Sequence, residues 1–101
     1  MNYKLLNIIQ FYIRMSHISV YFKEVWTTNT KYYLLNPRWN QEQLYAYIKP
    51  FILTHFNIDN FEIIEMGQKD AENGDAINIG DTLLHQNYGD MLQVSFYIRK
   101  L

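Results

Sequence analysis

The stretch from Met91 to Leu101 constrains the fold more than any other part of the chain. Apolar and polar side chains alternate along it: Leu92, Val94, Phe96 and Ile98 are separated by Gln93, Ser95, Tyr97 and Arg99. A period of two is typical of a strand with one face in the core and one in water. Because a long exposed edge invites pairing with other chains, we expect this strand to lie in the centre of a sheet.

A β-hairpin is predicted near the other end. Ile18, Val20 and Phe22 alternate with less apolar residues, in a strand that continues to Trp26. The polar residues 27–30 supply a turn, in which Asn29 is best suited to a positive φ. Residues 31–35 form the returning strand. Trp26 and Trp39 are expected to pack in the core and the hairpin.

A helix is predicted from Gln41, with Asn40 as its N-cap and Gln43 in the capping-box position. Its apolar stripe should face the sheet and consists of Leu44, Tyr47, Ile48, Phe51 and Ile52. Pro50 cannot donate a backbone hydrogen bond. We therefore expect a kink, a break near Ile48, or a second short helix over residues 50–56.

The residues after the helix predict two further strands, separated by a polar loop. Residues 61–66 predict a third strand, with Phe61 and Ile63 inward and Ile64 outward. Residues 68–75 are the most polar part of the chain and predict a surface loop. Residues 76–79 predict a short edge strand, and Asp81 or Thr82 is placed to cap a helical turn.

Residues 1–15 are interpreted as an N-terminal extension to a domain over residues 16–101. Apolar residues of the extension share one helical face, which favours a helix that packs on the domain or on a partner. Its polar Asn7 and Gln10, and its lack of small residues, argue against a cleaved signal peptide. Met1 and Met15 are both candidate starts.

Composition limits the function classes. The 101 residues include nine Lys and Arg, ten Asp and Glu, and no Cys. A site for the phosphate backbone of a nucleic acid needs clustered basic residues, and the nine Lys and Arg of this sequence form no cluster. Disulfides and thiolate sites are excluded. No apolar run reaches the roughly 20 residues of a membrane span. We expect an intracellular, cytoplasmic protein without a nucleic-acid partner.

Motifs for catalysis or metal binding are weak. His17, His55 and His85 are widely separated. The acidic residues between Asp70 and Asp81 loosely follow a calcium loop, but the bidentate Glu is missing and Gly74 is one place early. Neither a nucleophile elbow nor a glycine-rich phosphate loop occurs. We therefore expect no enzyme activity, no cofactor and no metal.

The order of hairpin, helix, strand, short strand, turn and final strand resembles the ubiquitin-like β-grasp fold. Residues 62–68 resemble the ubiquitin segment in which a buried aliphatic residue and an exposed Ile precede a small-residue turn. Residues 81–83 resemble the turn after the fourth strand, and residues 94–99 match the alternation of the last one. The resemblance covers residues 17–101. It implies an α+β fold with a mixed sheet of four to five strands on one kinked helix.

The same resemblance implies a binding surface. Ile64 corresponds to the Ile at the centre of the ubiquitin binding patch, and Ser95, Tyr97 and Tyr21 would lie near it on the outward face. These four residues are the predicted protein-binding site; alternatively, residues 1–15 cover this face within the same molecule. The chain ends without the Gly-Gly of conjugated modifiers, so conjugation is not expected.

The sequence therefore predicts a non-catalytic, unconjugated ubiquitin-like module that binds a protein partner. Frequent Ile, Asn, Tyr and Phe are typical of AT-rich genomes, such as those of many large DNA viruses. This leaves an alternative, a structural component of a larger assembly such as a minor virion protein. In that case residues 1–15 would be the docking arm, and the chain would form homo-oligomers through it.

Overall fold

The computed structural model describes residues 17–65, 73–89 and 93–101. Four strands and two helices lie within these ranges. In chain order they are β1 (Ile18–Glu24), β2 (Thr30–Leu35), α1 (Gln41–Phe56), β3 (Phe61–Glu65), α2 (Leu84–Tyr88) and β4 (Val94–Lys100). The fold is α+β, as predicted, and the N-terminal extension lies outside the described residues.

The strands form one mixed sheet in the order β2-β1-β4-β3. Strand β1 pairs antiparallel with β2 and parallel with β4, and β4 pairs antiparallel with β3. The final strand therefore lies in the interior of the sheet, and this prediction is confirmed. The predicted strand at 76–79 is reduced, within the described residues, to a bridge between Ile64 and Ala76.

The core lies between one face of the sheet and helix α1. Alternate residues of the strands point into it, including Val20, Phe22, Ile63, Phe96 and Ile98, all at most 1% exposed. We call this the inner face, and the opposite one the outer face. The inward residues of β1, β3 and β4 agree with the alternation read from the sequence.

Helix α1 begins with the predicted capping box. The Asn40 side chain accepts from the Gln43 backbone N–H, and the Gln43 side chain accepts from the Asn40 N–H, both at 3.0 Å. At the other end, Asn57 adopts a left-handed conformation with φ 57° and its N–H bonds to the Leu53 carbonyl. These caps satisfy backbone groups that the helix leaves unpaired.

The predicted break near Ile48 and the alternative of a second short helix over residues 50–56 are both wrong, because α1 continues through Pro50 as one helix. A proline at this position leaves the carbonyl of Ala46 without its usual donor. Pro50 and Ala46 are both exposed, so water can reach that carbonyl. Ile48 and Ile52 are fully buried on either side of the proline, and their burial keeps both halves of the helix against the sheet.

The residues of the predicted apolar stripe of α1 form two groups, one buried in the core and one partly accessible to solvent. Its buried residues are Leu44, Ile48, Ile52 and Phe56. Tyr47 is 38% exposed and Phe51 is partly buried. These two residues lie on the flank of the helix that faces strand β2, where they contact other rings.

Candidate functional site

The outer face of the sheet brings all four predicted binding residues close together. Tyr21 is opposite Ser95 in the β1–β4 pair. Tyr97 is opposite Lys23 on one side and Ile64 on the other. Tyr21, Ser95 and Tyr97 are half-buried. The four residues therefore share one face of the sheet, on which Tyr21, Ser95 and Tyr97 offer only part of their surface to a partner.

Ile64 differs from its predicted exposure. It points to the outer face, since its neighbour Ile63 points into the core, yet its exposed fraction is 0%. Tyr97 lies beside it on one side and Ala76 bridges to it on the other. A side chain with no accessible surface cannot contact a partner in this conformation. The alternation predicts its face correctly and says nothing about what covers that face.

Strand β2 carries the exposed apolar residues of the outer face. Tyr32 is 50% exposed and Leu34 is 42% exposed. The Tyr32 ring lies 5.0 Å from the Tyr21 ring, centre to centre. Its hydroxyl is 2.9 Å from the Ser19 hydroxyl. Tyr32 is thus held in place on the sheet by two contacts while half of its surface stays accessible.

The turn of the hairpin exposes a tryptophan. Trp26 is 81% exposed and has a φ of 66°, so the expectation that it packs in the core or hairpin is wrong. The positive φ expected at Asn29 occurs at Trp26 instead, because the tight turn is closed between Glu24 and Thr27. The Thr27 N–H and hydroxyl both bond to the Glu24 carbonyl, at 3.2 and 3.1 Å. A bulky residue in the left-handed region is strained, and such strain is often found at functional positions.

We define the hairpin surface as Tyr21, Trp26, Tyr32 and Leu34. It shares Tyr21 with the site predicted from the sequence. The other three are not predicted from the sequence, in which Trp26 is expected to pack and β2 is only the returning strand of a hairpin. The outward period of β2, which contains Tyr32 and Leu34, was the signal available.

A second group of rings lies on the inner side of β2, in the angle between that strand and α1. We call it the aromatic row. Neighbouring ring centres are 4.6 Å apart for Trp39 and Tyr47, 5.2 Å for Tyr47 and Phe51, and 5.8 Å for Phe51 and Tyr33. His55 completes the row, stacked on Tyr33 and hydrogen-bonded to its hydroxyl through Nδ1 at 2.6 Å. The spacing of four between residues 47, 51 and 55 was the sequence signal for this row.

The chemistry of the described side chains gives little support to catalysis. Burial raises the pKa of Tyr33, Tyr45 and Tyr88, and this makes their hydroxyls weaker acids rather than activated groups. Within residues 17–65, 73–89 and 93–101, no group of three or more His, Asp or Glu side chains is placed to hold a metal. Part of the acidic loop considered for calcium lies outside those ranges.

Comparison with known proteins gives no relative: no family model, no curated protein and no solved structure matches the chain. None of the described helices is long and apolar enough to cross a membrane.

Proposed function

We propose that the chain is a non-catalytic, unconjugated ubiquitin-like module that binds a protein partner through the hairpin surface. The α+β fold, the mixed sheet of four strands and the single long helix agree with what the resemblance implies. They support the β-grasp part of the proposal. The binding part depends on the surface chemistry of the hairpin.

One observation carries the proposal. Among the described residues, six large hydrophobic side chains are exposed, and three of them belong to the β1–β2 hairpin: Trp26, Tyr32 and Leu34. Scattered apolar residues are ordinary on protein surfaces, whereas a concentration on one element marks a contact surface. Trp and Tyr are also the residues that dominate binding energy at protein interfaces.

Trp26 strengthens this interpretation. Its ring is too exposed to stabilise the fold, and its backbone conformation is one that Gly or Asn adopts at lower cost. A residue that strains the turn and contributes little to the core is better explained by contact with another molecule. The ring then acts as an anchor that a partner buries.

The proposal is tested by affinity capture from an extract of the cells that make the protein. The baits are the wild-type chain, a Trp26→Ala/Leu34→Thr double variant, and a Leu53→Thr control on the exposed part of α1. We expect a protein retained by the wild type and the control, and retained at least about tenfold less by the double variant. Calorimetry with the purified partner measures the affinities directly.

Two results would reject the proposal. One is a partner that binds the double variant as tightly as the wild type. The other is the absence of any protein enriched by the wild-type bait over an unrelated one. The alternative function, a structural component with residues 1–15 as docking arm, remains a proposal because the arm lies outside the described residues.

A further inference from the structure

Strand β2 lies at an outer edge of the sheet and, within the described part of the chain, has β1 as its neighbour. The Glu24 N–H bonds to the Asn29 carbonyl at 3.1 Å. This bond identifies which residue pairs of β1 and β2 are hydrogen-bonded to each other. In an antiparallel pair, hydrogen-bonded positions alternate along each strand. The backbone N–H and C=O groups of Thr30, Tyr32 and Leu34 therefore point away from β1, towards the open edge.

This edge lacks most of the features that protect edge strands. Proteins usually guard such edges with proline, a bulge, charged side chains, especially lysine, or a very short strand. Strand β2 has six residues, TKYYLL, with Lys31 as its one charged residue. Apolar groups flank the edge on both faces, with Tyr32 and Leu34 outside and the aromatic row inside. An edge of this kind is suited to pairing with another strand.

We propose that β2 pairs antiparallel with β2 of a second copy of the chain, with Tyr32 opposite Tyr32 of the partner subunit. The two sheets then join into one continuous sheet across a twofold axis. The proposal concerns self-association and goes beyond the function proposed above. It does not involve residues 1–15, the segment through which the sequence alternatively predicts homo-oligomers.

Three registers can be compared by the edge residues that they pair and by the side chains that they place opposite each other. When Tyr32 lies on the twofold axis, Thr30 is opposite the partner's Leu34. This register uses all three edge residues of both strands and forms about six hydrogen bonds. Centred on Lys31, the pairing uses fewer edge residues and opposes two like charges, which is unfavourable. Centred on Tyr33, it places Thr30 opposite the partner's Asn36, next to Pro37 and beyond the end of β2. The first register is the most favourable.

The same register gives complementary side chains on the inner side. Lys31 and Tyr33 both point to the inner side, since they are opposite Phe22 and Val20 of β1. In the dimer, Lys31 is opposite the partner's Tyr33, and an ammonium group over a tyrosine ring is attractive. Strand β2 is thus compatible with a second copy of itself in its side chains as well as in its hydrogen bonds.

The aromatic row adds to this contact. The twofold axis at Tyr32 is perpendicular to the sheet, so both copies of α1 lie on the same side of the joined sheet. The row lies on the flank of α1 that faces β2 and includes Tyr47, which is 38% exposed. The rows of the two subunits therefore face each other across the joined strands, and aromatic groups are enriched at such interfaces.

Sedimentation velocity of the full chain tests the proposal, between roughly 1 μM and 1 mM. We expect the wild type to pass from monomer to dimer as its concentration rises. Tyr32→Lys and Tyr32→Glu each oppose two like charges and should each weaken the dimer about tenfold or more. A mixture of the two variants opposes Lys to Glu and should restore a heterodimer. Leu53→Lys, on exposed α1, should leave the dimer unchanged.

Hydrogen exchange of the wild type provides a measurement that needs no variant to fold. The amides of Thr30, Tyr32 and Leu34 should exchange more slowly at high concentration than at low concentration. A wild type that stays monomeric over the whole range would overturn the proposal. So would a dimer that survives both charged variants, or failure of the mixed variants to associate.

These results are separable from the test of the proposed function. Self-association is measured on the purified chain alone, whereas partner binding is measured with a different protein and with variants at Trp26 and Leu34. Either proposal can therefore fail while the other holds.

Discussion

The hydroxyl of Tyr45 in α1 accepts a hydrogen bond from the backbone N–H of Ile63 in β3, with nitrogen and oxygen 2.8 Å apart. The Ile63 carbonyl accepts from the Ile77 N–H, also at 2.8 Å. Both backbone groups that Ile63 turns away from β4 are thus paired. The Tyr45 ring stacks on Phe61 with ring centres 5.6 Å apart. A single side chain therefore joins the helix to the outer strand of the sheet.

Tyr45→Phe should destabilise the fold by about 1–2 kcal/mol, because it keeps the ring but leaves the Ile63 N–H without its acceptor. The shift in the midpoint of urea unfolding, at unchanged slope, measures this effect. Tyr47→Phe is the matched control, since that residue is 38% exposed, and it should change the stability by much less. Equal effects of the two variants would show that the Tyr45 hydrogen bond does not stabilise the fold.

Stability should fall in alkaline solution. Burial raises the pKa of Tyr33, Tyr45 and Tyr88 above the ordinary 10.0. Between pH 10.0 and the raised values, the unfolded chain loses these protons while the folded chain keeps them. The stabilisation is therefore complete below pH 10.0 and is lost as the pH rises through the folded values.

Unfolding midpoints between about pH 8 and 12 test this dependence. Because other changes in the chain also affect stability in this range, the decisive quantity is the difference between the wild type and Tyr45→Phe. The variant lacks one titrating group and should lose less stability over the alkaline range. Parallel curves would indicate that the Tyr45 pKa is the same in the folded and unfolded chain.

Strand alternation predicted much of this structure. It predicted the inward faces of β1, β3 and β4, because a pleated strand orients its side chains by position alone. It could not predict exposure on the outer face, which depends on whatever lies above that face. Ile64 and Leu34 both point outward, yet the first is fully buried and the second is 42% exposed.

Ile64→Ala should therefore cost about 3 kcal/mol, since it removes buried methyl and methylene groups and leaves a cavity. Leu34→Ala, on the same face, should cost less than about 1 kcal/mol. Urea unfolding of both variants makes the comparison. A negligible cost for Ile64→Ala would indicate an accessible side chain, and would return it to the binding surface predicted from the sequence.

Pro50 shows a second limit of sequence reasoning. The local rule predicts a break, whereas burial of Ile48 and Ile52 holds the helix together despite the lost hydrogen bond. Pro50→Ala restores the donor for the Ala46 carbonyl and should stabilise the fold by about 2 kcal/mol. This value combines a helix preference of about 3 kcal/mol with the greater entropy of the unfolded alanine chain. Lys49→Ala should be nearly neutral, and a destabilised Pro50→Ala variant would contradict the prediction.

Trp26 has a strained backbone conformation and a proposed contact with a partner. Two substitutions separate the effects of the strain and of the contact. Trp26→Ala removes the ring and keeps a Cβ at φ 66°, whereas Trp26→Gly removes both the ring and the steric cost. The glycine variant should be more stable than the alanine variant by about 1 kcal/mol. Both should bind the partner more weakly than the wild type, because both lack the ring. Equal stability would show that the turn is not strained, and binding by both variants as tight as that of the wild type would remove Trp26 from the interface.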